Sequence, residues 1–246
     1  MTRIYSASQF NSVYADFICN GHFNEIPEYY PRYRSRYEML IKKYCYLAPS
    51  HPLKILDIGG GQLGLLCQKL WDDEACVADI GGSHLDYLQD QGLSVTQWNL
   101  CLDQQPFIAE FDFVFFSEVI EHLPIPGHLV LERLKLALKP GGTIICSTPN
   151  LYRLRNRVYM VLGKQIYDYF RMPDDQGLGH VIEYSIDHLK WQFKTAGFED
   201  CTVEFYQMHH SPINPIFRVM YWIGLPLFLV PHFRDNLVAV ARAPLT

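Results

Sequence analysis

Two short stretches of this 246-residue chain carry residue types and spacings that can do chemistry. The first, KILDIGGGQLGLL, spans Lys54–Leu66 and places Gly59, Gly61 and Gly64 in a G-x-G-x-x-G pattern just after Asp57. Glycines in a strand-to-helix turn let an adenosine cofactor approach backbone N–H groups at a helix N-terminus. The second, SEVIEH, spans Ser117–His122 and gathers Glu118, Glu121 and His122. On a helical turn, positions i, i+3 and i+4 share a face, and histidine has an intrinsic pKa suited to proton transfer near neutrality.

Charge decides which cofactor the glycine loop suits. In a dinucleotide site an acid about 20 residues further on receives ribose hydroxyls, and Asp79 can do so for either cofactor. A pyrophosphate carries two negative charges that a carboxylate at Asp57 would repel, whereas an ammonium and a sulfonium would be attracted. The loop therefore favours S-adenosylmethionine. An NAD-type oxidoreductase and a non-catalytic binding module are the competing classes.

These residues need a frame. Tyr33, Tyr37, Leu40, Ile41, Tyr44 and Leu47 recur at helical spacing and predict an amphipathic helix within 29–47, stopped before Pro49 and Pro52. KILDI is a strand, and Leu63, Leu66, Cys67 and Leu70 resume helical spacing after the glycines. Further strands are expected at 75–80, 94–98, 111–120 and 143–149. A short helix falls around 84–89, and another, marked by Leu129, Val130, Leu134 and Leu138, closes at Lys139-Pro140-Gly141-Gly142. The basic, aromatic stretch 150–175 interrupts the alternation and reads as an irregular functional loop or cap. Ser185 caps a helix that stops at Gly197, and 201–206 and 236–243 are closing strands.

Strands alternating with helices imply a mainly parallel sheet covered on both faces, with ligands at the carboxyl ends of its strands. The expected organisation is one domain: an N-terminal helical segment 1–52, a cofactor-binding core 53–207, an apolar cap insertion 208–235 and a closing strand 236–246.

A net charge of −5 lacks the basic footprint of a nucleic-acid binder, so none is expected as partner. Seven cysteines, odd in number and without a C-x-x-C pair, read as reduced thiols of a cytoplasmic protein. The apolar run 219–230 is too short to span a bilayer and contains Pro226. Its flanking basic residues and aromatics, Trp222 and Phe228 among them, instead predict a peripheral membrane contact through 214–234, a lid or a homodimer contact.

Five stations stand in a familiar order: LDIGGGQLG (56–64), VADIGGS (77–83), FDFVFFSEVIEHL (111–123), LKPGGTIICSTPN (138–150) and GHVIEYSIDHLKWQFKTAGF (179–198). With them the chain resembles the class I S-adenosylmethionine-dependent methyltransferases, and within these the ubiquinone-biosynthesis O-methyltransferase-like group. The resemblance covers roughly 53–200 and departs at Leu63, where the family has its last glycine, and at Asn99, near its customary acid.

The resemblance implies a Rossmann-like α/β fold with a mostly parallel seven-stranded sheet, and O-methylation of a small-molecule, lipid-linked or glycan acceptor. By position, Asp57, Gly59 and Gly61 would line the methionine part, Asp79 and Ile80 the ribose, Asn99 and Leu100 the adenine, and Ser117 the inner wall. His122 is the candidate base, and His180, the second candidate catalytic residue, sits with Glu183 where the family closes its acceptor pocket. A contact from Tyr33 or Arg36 to the methionine carboxylate also follows from the family's N-terminal helix. In some ubiquinone-type relatives the matching Glu-x-x-Glu-His is implicated in divalent metal binding. No metal is expected here, because no second carboxylate pair is present to complete an oxygen shell.

Overall fold

The computed structural model describes residues 3–23, 25–26, 28–167, 179–208 and 225–245. Seven strands form one sheet: β1 (Lys54–Ile58), β2 (Glu74–Asp79), β3 (Ser94–Gln97), β4 (Phe111–Ser117), β5 (Leu138–Pro149), β6 (Glu199–Tyr206) and β7 (Asn236–Arg242). Their order is β3-β2-β1-β4-β5-β7-β6, parallel except for β7, which runs antiparallel to both neighbours. The chain leaves β1 toward β2 on one side and returns to β4 on the other. The strand order thus reverses between β1 and β4, and a crevice opens beyond their carboxyl ends.

Burial on both faces explains the near-continuous apolar strands. Along β4, Phe113 and Phe115 point into the core cluster holding Ile55, Leu66, Leu40 and Tyr44. Val114 and Phe116, one residue out of phase, enter the opposite cluster with Leu56, Leu131, Leu134 and Phe193. The helices are α1 (Ala7–Val13), α2 (Tyr29–Leu47), α3 (Gln62–Trp71), α4 (His84–Asp90), α5 (Gly127–Ala137), α6 (Leu154–Val161) and α7 (Ile186–Thr195), and all but α6 supply residues to these two clusters.

Four elements differ from expectation; in one, α5 ends at Ala137 and β5 begins at Leu138, so that Lys139-Pro140-Gly141-Gly142 belongs to the strand and does not close the helix. A helix, α1, continued by a π-helical turn at Tyr14–Ile18, occupies the N-terminus and buries Phe10, Tyr14 and Ile18. β4 stops at Ser117 instead of running on to Ile120, because Glu118 turns the backbone to φ +56° and a 3₁₀ turn follows at Ile120–His122. Residues 154–161 of the supposedly irregular segment form α6, anchored by the buried Asn156. Ser185 caps α7 as expected, its side chain accepting from the His188 N–H. All seven cysteines are free thiols, four of them buried.

No helix among the described residues is long and apolar enough to cross a membrane. Most of the expected apolar insertion, from 209 to 224, lies outside the described residues, as do His209-His210 and Trp222.

Candidate active site

The glycine loop is shaped by collisions that side chains would cause. Gly59 and Gly61 both adopt left-handed φ, at +99° and +78°. A Cβ on Gly61 would meet Leu88 at 2.6 Å and Val77 at 2.8 Å, so this glycine lets the loop pass tightly against β2 and α4. A Cβ on Gly59 would stand 3.1 Å from Val119.

Asp57 completes the turn from behind. Its carboxylate is buried and accepts the Gly64 N–H at 2.8 Å. Burial pushes its pKa up to about 7, although the N–H bonds from Gly64 and Leu63 pull the other way. Asp57, Gly61 and Ser117 therefore lie behind the cavity that the loop borders, and shape it without lining it. Ser117 shares a 2.8 Å hydroxyl contact with Ser147.

That cavity, about 300 Å³, is walled by Ile58, Gly59 and Ala78 from β1, the loop and β2, and by Trp98, Asn99 and Leu100 beyond β3. Asp79, Ile80 and His84 close one end, and Glu118, Val119 and His122 the other. Of the residues expected to hold a cofactor, Gly59, Asp79, Ile80, Asn99 and Leu100 thus come together. Asp79 accepts the Gly81 N–H at 2.9 Å and lies 3.9 Å from His84 Nε2. Burial lowers the His84 pKa, favouring the neutral ring. The Asn99 side-chain oxygen folds back to accept the Cys101 N–H at 2.9 Å, fixing the turn that brings Leu100 to the wall.

The lining suits an adenosine cofactor with a cationic tail. Apolar walls match a purine, an acceptor-only carboxylate at Asp79 matches a pair of donating hydroxyls, and the Glu118 carboxylate matches positive charge. It does not suit a pyrophosphate, because Asp57 already takes the Gly64 N–H at the start of α3 that such an anion would use.

A second cavity, about 360 Å³, lies alongside and is lined by Tyr29, Tyr33, Arg36, Arg153, Arg155, His180 and Asn236, among others. The two cavities share Glu118 and His122. Glu118 has an uncommon conformation for a non-glycine residue, held by Ser147 Oγ at 2.8 Å, Asn236 Nδ2 at 3.0 Å and Arg36 Nη1 at 3.3 Å. The buried Arg36 guanidinium also donates to the Tyr29 hydroxyl at 2.8 Å and stacks over the Tyr33 and Tyr37 rings at 5.1 and 5.2 Å.

Glu118, Glu121 and His122 do not share one helix face. Glu121 turns into the core, where it accepts from Thr148 Oγ1 at 3.1 Å. Burial, reinforced by the charge of Glu118, raises its pKa well above the usual carboxylate range. Its backbone carbonyl receives the N–H groups of Val181 at 2.8 Å and Ile182 at 3.2 Å, which brings the 179–184 segment onto the site.

His122 Nδ1 lies 2.7 Å from the Gly179 carbonyl oxygen. A carbonyl only accepts, so Nδ1 carries the proton and Nε2 is the basic nitrogen of the neutral ring. The His180 ring stands edge-on, 4.9 Å away, and its Nδ1 is 3.3 Å from Glu183 Oε1. Burial works to raise the Glu183 pKa, but the His180 hydrogen bond and the Arg153 charge outweigh it and hold Glu183 below its ordinary value. Glu121, His122 and His180 each bring one donor atom within 4.8 Å of the others, a set poorer in oxygen than Mg²⁺ takes.

Sequence reasoning missed His84, Trp98, Arg153 and Arg155 as lining residues. A signal existed for His84, which follows β2 by a few residues, and for Arg153 and Arg155, which lie at the start of α6 in the basic stretch read as a functional loop or cap.

A family model described as a methyltransferase domain matches residues 30–203. The ubiquinone biosynthesis O-methyltransferase of Maricaulis maris is 32% identical over 110 residues, 42% of each chain. That of Idiomarina loihiensis is 35% identical over 113 residues, 39% of this chain and 42% of the relative. The matches thus span under half the length of these relatives. Among solved structures, a SAM-dependent methyltransferase from Archaeoglobus fulgidus superposes with a TM-score of 0.55 at 17% identity, covering 87% of this chain and 97% of that one. The phosphoethanolamine N-methyltransferase 2 of Haemonchus contortus, bound to S-adenosyl-L-methionine, gives a TM-score of 0.58 at 14% identity, covering 98% of this chain and 58% of that one. These structures share the Rossmann-like fold.

Proposed function

The chain belongs to the methyltransferase domain family, and from that premise we propose that it is an S-adenosylmethionine-dependent methyltransferase acting on an acceptor hydroxyl. The observation that carries this reading is the junction of the two cavities at Glu118 and His122. One cavity has walls for an adenosine cofactor and the other a polar chamber for an acceptor, and they meet at a carboxylate and a basic nitrogen. The relatives named O-methyltransferases support oxygen as the acceptor atom.

When bound, the cofactor supplies a sulfonium methyl open to in-line displacement. Asp79 receives the ribose hydroxyls, Asn99 and Leu100 border the adenine, and Gly59 lets the backbone come close. Glu118 provides negative charge at the end where the sulfonium belongs. His122 Nε2 takes the proton of the acceptor hydroxyl, and the Gly179 carbonyl holds the ring in the tautomer that can do so. His180, oriented by Glu183, sets the wall against which the acceptor is positioned. The acceptor is a small-molecule, lipid-linked or glycan hydroxyl.

Mass spectrometry of an extract incubated with the protein and a donor carrying a deuterated methyl group tests the reading. A labelled product is expected, and His122→Gln should slow its formation by about 100-fold or more while leaving S-adenosylhomocysteine affinity unchanged. A fully active His122→Gln enzyme removes His122 as the base. Failure to form a labelled product, with stabilisation by NAD instead, overturns the methyltransferase reading.

A further inference from the structure

Behind the wall of the second cavity one carboxylate meets more positive charge than it can neutralise. The buried Glu183 accepts from Arg153 Nη2 through Oε1 and from Asn156 Nδ2 through Oε2, the latter at 2.5 Å. The same Oε1 lies 3.3 Å from His180 Nδ1 and 3.9 Å from Arg155 Nη2. Arg153 is spent on this pair, whereas the Arg155 side chain is half-exposed and lines the cavity. Three carboxylates also line the cavity, and none answers Arg155. Glu118 is paired with Arg36, Glu121 is fully buried against Thr148, and Glu25 is exposed to solvent. Asn156 meanwhile fixes the direction of the unanswered guanidinium. Its Oδ1 accepts from Arg155 Nε at 3.3 Å and Nη2 at 3.2 Å, its Nδ2 is tied to the Leu151 carbonyl at 2.9 Å, and the guanidinium lies 5.6 Å over the Tyr159 ring. Nη1 and the outer edge of the fork are left for a further partner.

We propose that the methyl acceptor carries an oxyanion, a phosphate or a carboxylate, near the hydroxyl that is methylated, and that Arg155 binds it inside the second cavity. The planar fork of a guanidinium matches two oxygens of either group, and a fork already oriented by Asn156 loses little freedom in binding them. Arg153 and Arg155 stand at the first turn of α6, which has no side-chain cap, so the helix dipole adds positive potential on the same side. His180 joins the two ends of the chamber. Its ring stands edge-on to His122 at 4.9 Å and shares Glu183 with both arginines, so a hydroxyl at His122 and an oxyanion at Arg155 fit one end of a single small molecule. An amine acceptor would be repelled by this wall. The inference rests on reading the second cavity as the acceptor site of a methyltransferase.

Calorimetric titration of the protein, saturated with S-adenosylhomocysteine, with phenyl phosphate, benzoate and the neutral benzamide tests the proposal. At least one oxyanion should bind, and benzamide should bind about 10-fold more weakly or not at all. Arg155→Gln should weaken the oxyanion about 10-fold, and Arg155→Lys should recover part of that loss, since it restores the charge without the fork. Both variants should keep their affinity for S-adenosylhomocysteine, which shows that they are folded. The labelled product formed in the extract should be retained on an anion exchanger at neutral pH. Phosphatase treatment should release it if the group is a phosphomonoester and leave it bound if the group is a carboxylate. No difference among the three probes, oxyanion affinity untouched by Arg155→Gln, or a labelled product that the exchanger does not hold overturns the proposal. A labelled product without an anionic group would leave the methyltransferase reading standing, whereas failure of that reading shows as no heat with S-adenosylhomocysteine before any probe is added.

Discussion

The Asp57 carboxyl sits in the protein interior with no cation beside it, bound to the amides that open α3, and its pKa rises to about 7 because burial penalises the charge. Its worth is geometric, since it fixes the path of the glycine loop from behind. A cost follows, with a definite sign. Between the ordinary aspartate value near 4 and about 7 the folded state holds a proton that the unfolded state has released, so stability falls as pH rises through this window and is level above it. Asp57→Asn keeps an acceptor for the Gly64 N–H and cannot ionise. Urea unfolding of the two proteins from pH 4 to 8 should show wild-type stability declining relative to the variant, by at most about 4 kcal/mol. Parallel curves would place the Asp57 pKa at its ordinary value.

At the scale of elements, the N-terminus is tied to the sheet by a buried ion pair. Arg3 donates to both oxygens of Asp73, at 2.5 and 2.6 Å, and to the carbonyls of Pro49 and His51, each at 2.7 Å. Asp73 also accepts from the Tyr44 hydroxyl at 2.7 Å and from the Leu53 N–H at 2.8 Å. One carboxylate thus joins the chain before α1, the end of α2 and the starts of β1 and β2. Arg3→Met would leave Asp73 buried without its counter-ion and should cost about 3–5 kcal/mol in urea unfolding. A loss below 1 kcal/mol would mean that water replaces the guanidinium at little cost. The same tether bears on the site, because α2 carries Tyr29, Tyr33 and Arg36 into the second cavity.

For the whole molecule, the sheet was readable because strands buried on both faces are written as unbroken apolar runs, as in FDFVFF, and because α2 keeps its helical spacing from Tyr29 to Leu47. α1 was expected only as part of an N-terminal helical segment and without bounds, because its burying residues and those of the turn after it, Phe10, Tyr14 and Ile18, are few and spaced over a short segment. α6 escaped because its exposed aliphatics and arginines show no core-facing stripe. Gly59, Asp79, Asn99 and Leu100, marked in the sequence by their places after strands, line one cavity. Asp57 and Ser117 fell behind the wall, since a residue's position in a motif does not say whether its side chain faces the ligand or the loop. Glu118 stood out in sequence only as one of a cluster, and its place where the cavities meet depends on Arg36, Ser147 and Asn236, which lie far apart along the chain.

The central claim is that the cavity walled by Gly59, Asp79, Asn99 and Leu100 holds the adenosine cofactor, and calorimetric titration with S-adenosylhomocysteine tests it most directly. Wild-type protein should bind the ligand, and Asp79→Ala, verified as folded by circular dichroism, should bind it about 10- to 150-fold more weakly, the equivalent of about 1.5–3 kcal/mol for hydrogen bonds to a charged acceptor. Unchanged affinity in Asp79→Ala, or a wild type that binds NAD and gives no heat with S-adenosylhomocysteine, would contradict it.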